Sequence, residues 1–456
     1  MNSKHHGVRR HVAALSPGDM SPGIESADMS AHSKFATRRL KFVATLNDDS
    51  LPESTDPDLE LEYIDIGNVD SSGKVNERAT YKFSGAPSRA RRKVADGDVI
   101  ISTVRTYLQA IAPIQSPEEN LVVSTGFAVA RPNRDLLDTN YFKYALREPR
   151  FLNEVVARST GISYPAINSS ELADIRIFIH DLQKQHRIAT YLDRETARID
   201  ALVAEKERML VLLEQKRAAL ISRAVTRGLN PKAPSKPSGA SWFDRVPSHW
   251  SVKRLKWIIE SVSSGVSVNA TDLPVENEEM GVLKTSAVLG GNFFPEENKA
   301  VWETELSRLS CPVTVNSVIM SRMNTPSLVA ESGLVIQDYP NLFLPDRLWK
   351  LQFIESVVHS PFVAMVLSSK GARHALSSRA TGTSPSMKNL AIEEMSDLPV
   401  PIPPLNEQKA IVTYIRAHHT RAAALESALR DSIALLKERR SALITAAVTG
   451  RLTVTV

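Results

Sequence analysis

A single cysteine, Cys311, stands among 456 residues. A disulfide framework and a cysteine-rich zinc site are thereby excluded, and the count fits a reducing cytoplasm. No run approaches the roughly 18 consecutive apolar residues that a membrane helix needs. Catalytic signatures are missing as well. There is no G-x-x-x-x-G-K-[ST] phosphate loop, no Asn-Pro-Pro-aromatic or Asp-Pro-Pro-aromatic tetrapeptide, and no G-x-S-x-G around Ser124, Ser163 or Ser384. His418 and His419 are adjacent and point to different sides of a helix, so they cannot grip a metal as an i,i+4 pair would. Glu214 and Lys216 match the tail of a nuclease-like pattern but lie far from Pro57-Asp58 and Pro345-Asp346. Ordinary surface charges account for them.

What is present is a long chain of ordinary globular composition, 42% hydrophobic and 23% charged, with a formal charge of +5. The length asks for two to four domains. The basic balance is compatible with nucleic acid without requiring it. Residues 1–33 carry Lys4, Arg9 and Arg10 and then Ser, Pro, Gly and Met without apolar periodicity, which reads as a disordered leader.

The chain repeats itself. Residues 182–229 align without a gap on residues 405–452: Gln185 falls on Gln408, Tyr191 on Tyr414, Arg217 on Arg440 and Thr226 on Thr449. Upstream the similarity persists at smaller offsets. "RRLKF" around Leu40 matches "KRLKW" around Leu255, "DGDVIIS" matches "VNSVIMS", and "RSTG" ending at Gly161 matches "RATG" ending at Gly382. The drift means small loop insertions in the second copy. A Pro-, Lys- and Ser-rich linker, residues 230–245, separates the copies.

Each copy opens with a globular part, residues 34–181 and 246–404, of mixed strand and helix character. "EYIDIGNV" and "DVIIST" read as strands, and "YFKYALREPRFLNEVVAR" as helix broken at Pro149. Each copy closes with a long periodic segment, 182–229 and 405–452. Ile188, Leu192, Ile199, Val203, Leu210, Leu213, Leu220 and Ala224 form an apolar seam at 3/4 spacing. About 45 residues at ~1.5 Å each give rods of ~65 Å. Such a rod needs a partner, and its own repeat is the nearest one. Because the intervening domain returns the chain, an antiparallel coiled coil is expected, in an α+β (mixed α/β) fold. Lys206, Arg217 and Arg440 fall on the seam, either snorkelling there or marking where another subunit docks.

The order of variable unit and long helix, given twice, resembles the specificity subunits of type I restriction-modification systems. The resemblance rests on "VPSHWSVKRLKWI", "TGISYPAINSSELADIRI", "PIPPLNEQKAIVTYI", and the helix ends "KRAALISRAVTRGL" and "RRSALITAAVTGRL". It covers residues 34–452. One departure is His180-Asp181, where the second copy has Pro403-Pro404, so a less rigid helix start is expected in the first. The resemblance implies that each globular part is a target-recognition domain reading half of an asymmetric, bipartite site on double-stranded DNA, with the helices as spacer. It further implies modification (methyltransferase) subunits, two of them, and restriction/translocase subunits as partners. S-adenosylmethionine, ATP and Mg would sit on those partners, with no cofactor or active site in this chain. A free-standing nuclease and a scaffold that never touches DNA are the rival readings.

Recognition residues follow from chemistry. Arg89, Arg91, Arg92 and Lys93 are the densest basic run, suited to phosphates or merely to a solvated loop. Arg105 and Tyr107 follow one strand-like segment, and Arg322 and Asn324 follow its counterpart. Arg suits guanine and Asn suits adenine edges, although both also serve as internal hydrogen-bonders. Ser163, Tyr164, Ser384, Lys388 and Asn389, in the matched "TG" loops, face the same choice.

Overall fold

The computed structural model describes residues 36–276, 279–384 and 386–454, with the side chains of Thr383 and Ser384 also left undescribed. The expected leader, residues 1–33, lies outside the described residues. The chain forms two compact units whose division falls inside both long helices: unit 1 ends at Val203 and resumes at Leu435, and unit 2 is Ala204–Ala434.

Both units build the same sheets from different sequences. In unit 1 a four-stranded sheet runs Ala44–Leu46, Phe127–Pro132, Val99–Ser102, Ile111–Pro113. A second runs Ala79–Lys82, Glu60–Ile64, Leu121–Ser124, Ala90–Lys93, with its middle pair parallel. In unit 2 the matching orders are Ile259–Ser264, Leu348–Phe353, Val318–Ser321, Ser332–Leu334, and Asn298–Ala300, Gly281–Leu283, Tyr339–Phe343, Pro312–Val313, whose middle pair is again parallel. The strands Val99–Ser102 and Val318–Ser321 are buried at every residue, which is why "VIIS" and "VIMS" read as continuous apolar runs.

Two local expectations are corrected. "EYIDIGNV" is not one strand: it stops at Ile64, and a 3-10 turn, Ile66–Asn68, follows. Asp65 and Asn68 bond each other's backbone reciprocally there, offering the chain an alternative to the ladder. The boundary expected between residues 245 and 246 is bridged by a hairpin, in which Ser235–Pro237 of the linker pairs with Arg245–Pro247. Pro149 does divide the helical segment, as the first residue of Pro149–Ala157 after Thr139–Ala145.

The long helices are Leu182–Arg227 and Leu405–Val448. Each is followed by a left-handed glycine, Gly228 (φ 71°) and Gly450 (φ 74°), a conformation that costs glycine nothing. At Gly228 a Cβ would also press on Trp250 and Glu407. Asp181 replaces the second copy's proline by capping: its carboxylate accepts from Lys184 N at 2.8 Å. Within unit 1, His180 meets Val448 while Asp200 meets Arg440. As the first helix advances, the second retreats, so the segments run antiparallel. Ile188, Ala189, Leu192, Ile444, Ala447 and Val448 join one core with Tyr141, Phe142 and Phe151. In unit 2 the core takes Ala224, Val225, Ile411, Val412 and Ile415 together with Trp250 and Phe362. Fully burying each of the isoleucine, leucine, valine and phenylalanine side chains among them is worth roughly 1.5–3 kcal/mol.

The start of each helix is held by a glutamine with no exposed surface. Gln185 accepts from Asp138 N (2.9 Å) and donates to Leu136 O (2.9 Å) and His180 O (2.7 Å). Gln408 repeats this on His359 N (2.8 Å), Val357 O (3.3 Å) and Pro403 O (2.9 Å). Replacing either with leucine strands one N–H and two carbonyls out of reach of water, at roughly 1–3 kcal/mol each. Gln185→Leu and Gln408→Leu should each lose at least ~2 kcal/mol in chemical denaturation. Gln183→Leu, at an exposed position, serves as the silent control.

In unit 2, Arg217 Nε donates to His419 Nε2 at 3.2 Å across the helix pair. Burial, the Arg217 charge and His418 hold the His419 imidazole below its ordinary value. Protons therefore bind the unfolded chain more readily, so this contribution is fully present above the unfolded value of ~6.5 and is lost as the pH falls from there through the lower folded value. His419→Gln, which keeps an acceptor but cannot titrate, should flatten the fall in melting temperature between pH ~7.5 and ~5.5.

Candidate nucleic-acid interface

In unit 1 the buried strand Val99–Ser102 leads into a tight exit. Thr103 donates through both its N–H (2.9 Å) and its hydroxyl (2.8 Å) to Gly126 O. Arg105 then takes a left-handed conformation, φ 53°. Its N–H reaches Pro165 O at 2.8 Å, and Ile167 N donates to Thr103 O at 2.9 Å. Thr160 and Ala166 close the second loop by exchanging backbone bonds of 2.9 Å. The Thr106 and Ser159 hydroxyls meet at 2.7 Å. Two loops far apart in sequence thus become one surface. The Arg105 guanidinium lies 4.8 Å from the centre of the Tyr164 ring. Four residues singled out in the sequence, Arg105, Tyr107, Ser163 and Tyr164, are exposed here together. Leu108 and Ile162, exposed beside them, escaped sequence reasoning because nothing local distinguishes an exposed apolar residue from a core one. Arginine, aromatic rings and exposed apolar side chains offer charge, stacking and methyl contact at once.

The basic run Arg89–Lys93 is not a loop. Ala90–Lys93 is an edge strand pairing with Leu121–Ser124. Arg91 stacks 4.4 Å over Phe83, and Lys93 pairs with Asp49 at 3.2 Å. Arg92 is half-buried, its Nε has no partner, and burial lowers its basicity. Arg89 stays exposed at the strand's start, where its carbonyl accepts from Thr125 N next to the Thr103 exit. The four cations therefore have different surroundings, and Arg89 is the most accessible of them.

Unit 2 makes the same juxtaposition with a small sheet. Met323–Asn324 pairs with Met387–Asn389, which pairs with Thr381–Ser384. Asn324 lies opposite Lys388, and Asn389 opposite Met323. Leu390 N donates to Arg322 O at 2.8 Å. The Arg322 guanidinium sits 5.5 Å over Trp349 with its Nε buried and unpartnered, and Asn389 Oδ1 is likewise unpartnered. Asn324 gives one amide hydrogen to Ser321 Oγ (3.2 Å), and its oxygen accepts from Thr325 N (2.9 Å). The Ser384 side chain lies outside the described residues.

The three seam cations are half-buried. Arg217 reaches His419, and Arg440 Nε donates to Asp200 at 2.9 Å. Beside Arg440, burial and its charge push the Arg147 guanidinium down to about 10 while Ile111 O and Ser71 O accept from it. Lys206 lies on the first helix. The helices also expose apolar side chains, Met209, Val211, Leu212 and Leu425 in unit 2, Leu202 and Leu435 in unit 1. Among the described residues no three His, Cys, Asp or Glu converge as a metal would need, and no helix is long and apolar enough to cross a membrane.

A family model described as the type I restriction modification DNA specificity domain matches residues 314–435. The EcoKI type I restriction enzyme specificity subunit of Escherichia coli K12 is 22% identical over 372 residues, 79% of this chain and 76% of its own. The EcoEI specificity subunit of Escherichia coli is 23% identical over 225 residues, 49% of this chain and 38% of its own. A chain solved in work on complex assembly and conformational transition of the type I R-M system superposes with a TM-score of 0.70. It covers 96% of this chain and 100% of its own at 21% identity, a likeness of fold.

Arg105→Ala removes a cation whose backbone anchor is independent of its side chain. The variant should keep its melting temperature and weaken duplex DNA binding by roughly tenfold or more, read by fluorescence anisotropy at fixed salt.

Proposed function

We infer that this chain is the DNA-specificity subunit of a type I restriction-modification system, a reading the duplicated architecture carries more than any single residue. Two units of matched sheet order present different side chains at the same topological position. Unit 1 offers Arg105, Tyr107, Ser163 and Tyr164, and unit 2 offers Arg322, Lys388 and Asn389. Similar scaffolds with different tips suit two different half-sites, because base-edge recognition depends on the donor and acceptor pattern presented to the groove. Arg89 and the neighbouring basic strand suit backbone phosphates, which position a protein without specifying sequence.

Chemistry is assigned to partners. The chain would dock modification subunits, two of them, and through the complex the restriction/translocase subunits; S-adenosylmethionine, ATP and Mg belong on those chains. The exposed apolar side chains of the long helices support docking. A helix that buries one stripe against its pair and still exposes leucines is suited to a further partner. Lys206, Arg217 and Arg440 lie on that scaffold. The reading places the protein in the cytoplasm, with its DNA.

The test exchanges one reader. Residues 34–181 are replaced by the matching part of a relative, and the methylated sites of the host are sequenced. One half of the motif should change and the other should persist. A motif altered in both halves would show that the units are not independent readers.

A further inference from the structure

Away from the reading surfaces, which differ between the units, one exposed feature recurs with its geometry kept. In unit 1 the strand Thr37–Arg39 runs into a 3-10 turn, Leu40–Phe42. In unit 2 Ser251–Arg254 runs into Leu255–Trp257. The backbone angles flanking the turn agree: φ −65°, ψ 143° at Arg39 against −73°, 146° at Arg254, then −135°, −6° at Val43 against −123°, −9° at Ile258. The leucine is buried in both, and its N–H donates to a matched carbonyl, Ile175 O or Leu398 O.

The polar surroundings match too. Asp174 binds Lys41 (2.7 Å) and Arg39 (3.3 Å), and Asp397 binds Lys256 (2.8 Å) and Arg254 (3.0 Å). At the centre of each cluster an aromatic ring stands in solvent, Phe42 at 63% exposure and Trp257 at 66%. A lysine ammonium lies near each ring, Lys41 at 5.5 Å and Lys256 at 6.0 Å. Among the described residues neither ring joins a hydrophobic core.

We propose that each of these turns is a docking surface for a copy of one and the same protein partner, with Phe42 and Trp257 as its anchors and the carboxylate-held cations as its rim. The inference rests on the proposed function, which makes that partner the modification subunit. Divergence supplies the argument. Surfaces that read different half-sites differ, whereas a surface kept alike in both halves meets something common to both. Duplex DNA is also common to both, but the cations here are already tied to Asp174 and Asp397, and a fully paired duplex offers no free base to stack on the ring. An exposed aromatic with an ion-paired polar rim is the composition of a protein interface anchor.

The experiment uses the full chain co-purified with its cognate modification subunit, comparing wild type, Phe42→Ala, Trp257→Ala and the double variant. Because both rings are exposed, thermal melting should be unchanged. Native mass spectrometry should show mainly two modification subunits on wild type, one on each single variant and none on the double variant, at free concentrations about fivefold above the wild-type dissociation constant, where a site weakened 30-fold stays mostly empty. Each site should weaken by roughly 30-fold, the loss expected when an interface anchor is truncated. Phe42→Trp should restore the second copy. Unchanged stoichiometry and affinity in the double variant would overturn the docking surface alone. So would normal assembly with weakened DNA binding, which would hand the turn to DNA. A wild-type chain that binds no modification subunit would overturn the proposed function as well.

Discussion

Each long helix departs from a folded unit at a point where one buried side chain carries three hydrogen bonds. Gln185 and Gln408 each accept from one backbone N–H and donate to two carbonyls, and neither is exposed. Only a neutral amide can do this. A carboxylate could not donate, an aliphatic chain would leave three polar groups stranded, and a longer cation could not accept. The helix start is thereby tied both to the segment just before it and to the helical layer beside the sheets. What lies further along the helix, and what the unit presents to a ligand, inherits its direction from that joint.

The second constraint is that neither helix is stable alone. Its apolar stripe is satisfied at two ends by different means: in unit 1 by Ile444, Ala447 and Val448 against Ile188 and Leu192, in unit 2 by Ile411 and Ile415 in one core with Ala224 and Val225. Both cores therefore contain both repeats, and neither unit is built from one repeat alone. Further along the helices polar contacts join buried apolar ones: Arg440 with Asp200 beside Ile199 in unit 1, and Arg217 with His419 in unit 2, where Leu429 and Ile433 are also buried. Several leucines on the helices remain exposed.

The two units show how one frame carries two different surfaces. Sheet order is the same in both units because buried strands such as Val99–Ser102 and Val318–Ser321 answer only to size and apolarity. The tips answer to surface chemistry. In unit 1 a left-handed Arg105 stacks on Tyr164; in unit 2 a short sheet aligns Asn324 with Lys388. Backbone hydrogen bonds fix the tips in both, so side chains there can change without loss of the loop.

Local and periodic features were legible in the sequence: the two long helices, the break at Pro149 and the repeated blocks that point to one architecture used twice, although the expected helices, 182–229 and 405–452, run past the left-handed glycines after which the chain leaves the helix. Such features are determined within a few turns of chain, by apolar spacing and by proline's missing donor. Strand limits were less legible, since Asp65 and Asn68 end a strand that composition alone would continue. Which polar side chains are free for a ligand was not legible at all. Asn324 looks like a base reader in the sequence; in the fold one of its amide hydrogens goes to Ser321 and its oxygen accepts from Thr325 N, while Arg322 Nε and Asn389 Oδ1 are buried without partners. The basic run Arg89–Lys93 reads as one patch, yet folding distributes it among an aromatic ring, a carboxylate and a half-buried strand. A residue's type states which bonds it can make; only the tertiary structure, by bringing distant groups within hydrogen-bonding reach, decides which of them are already made.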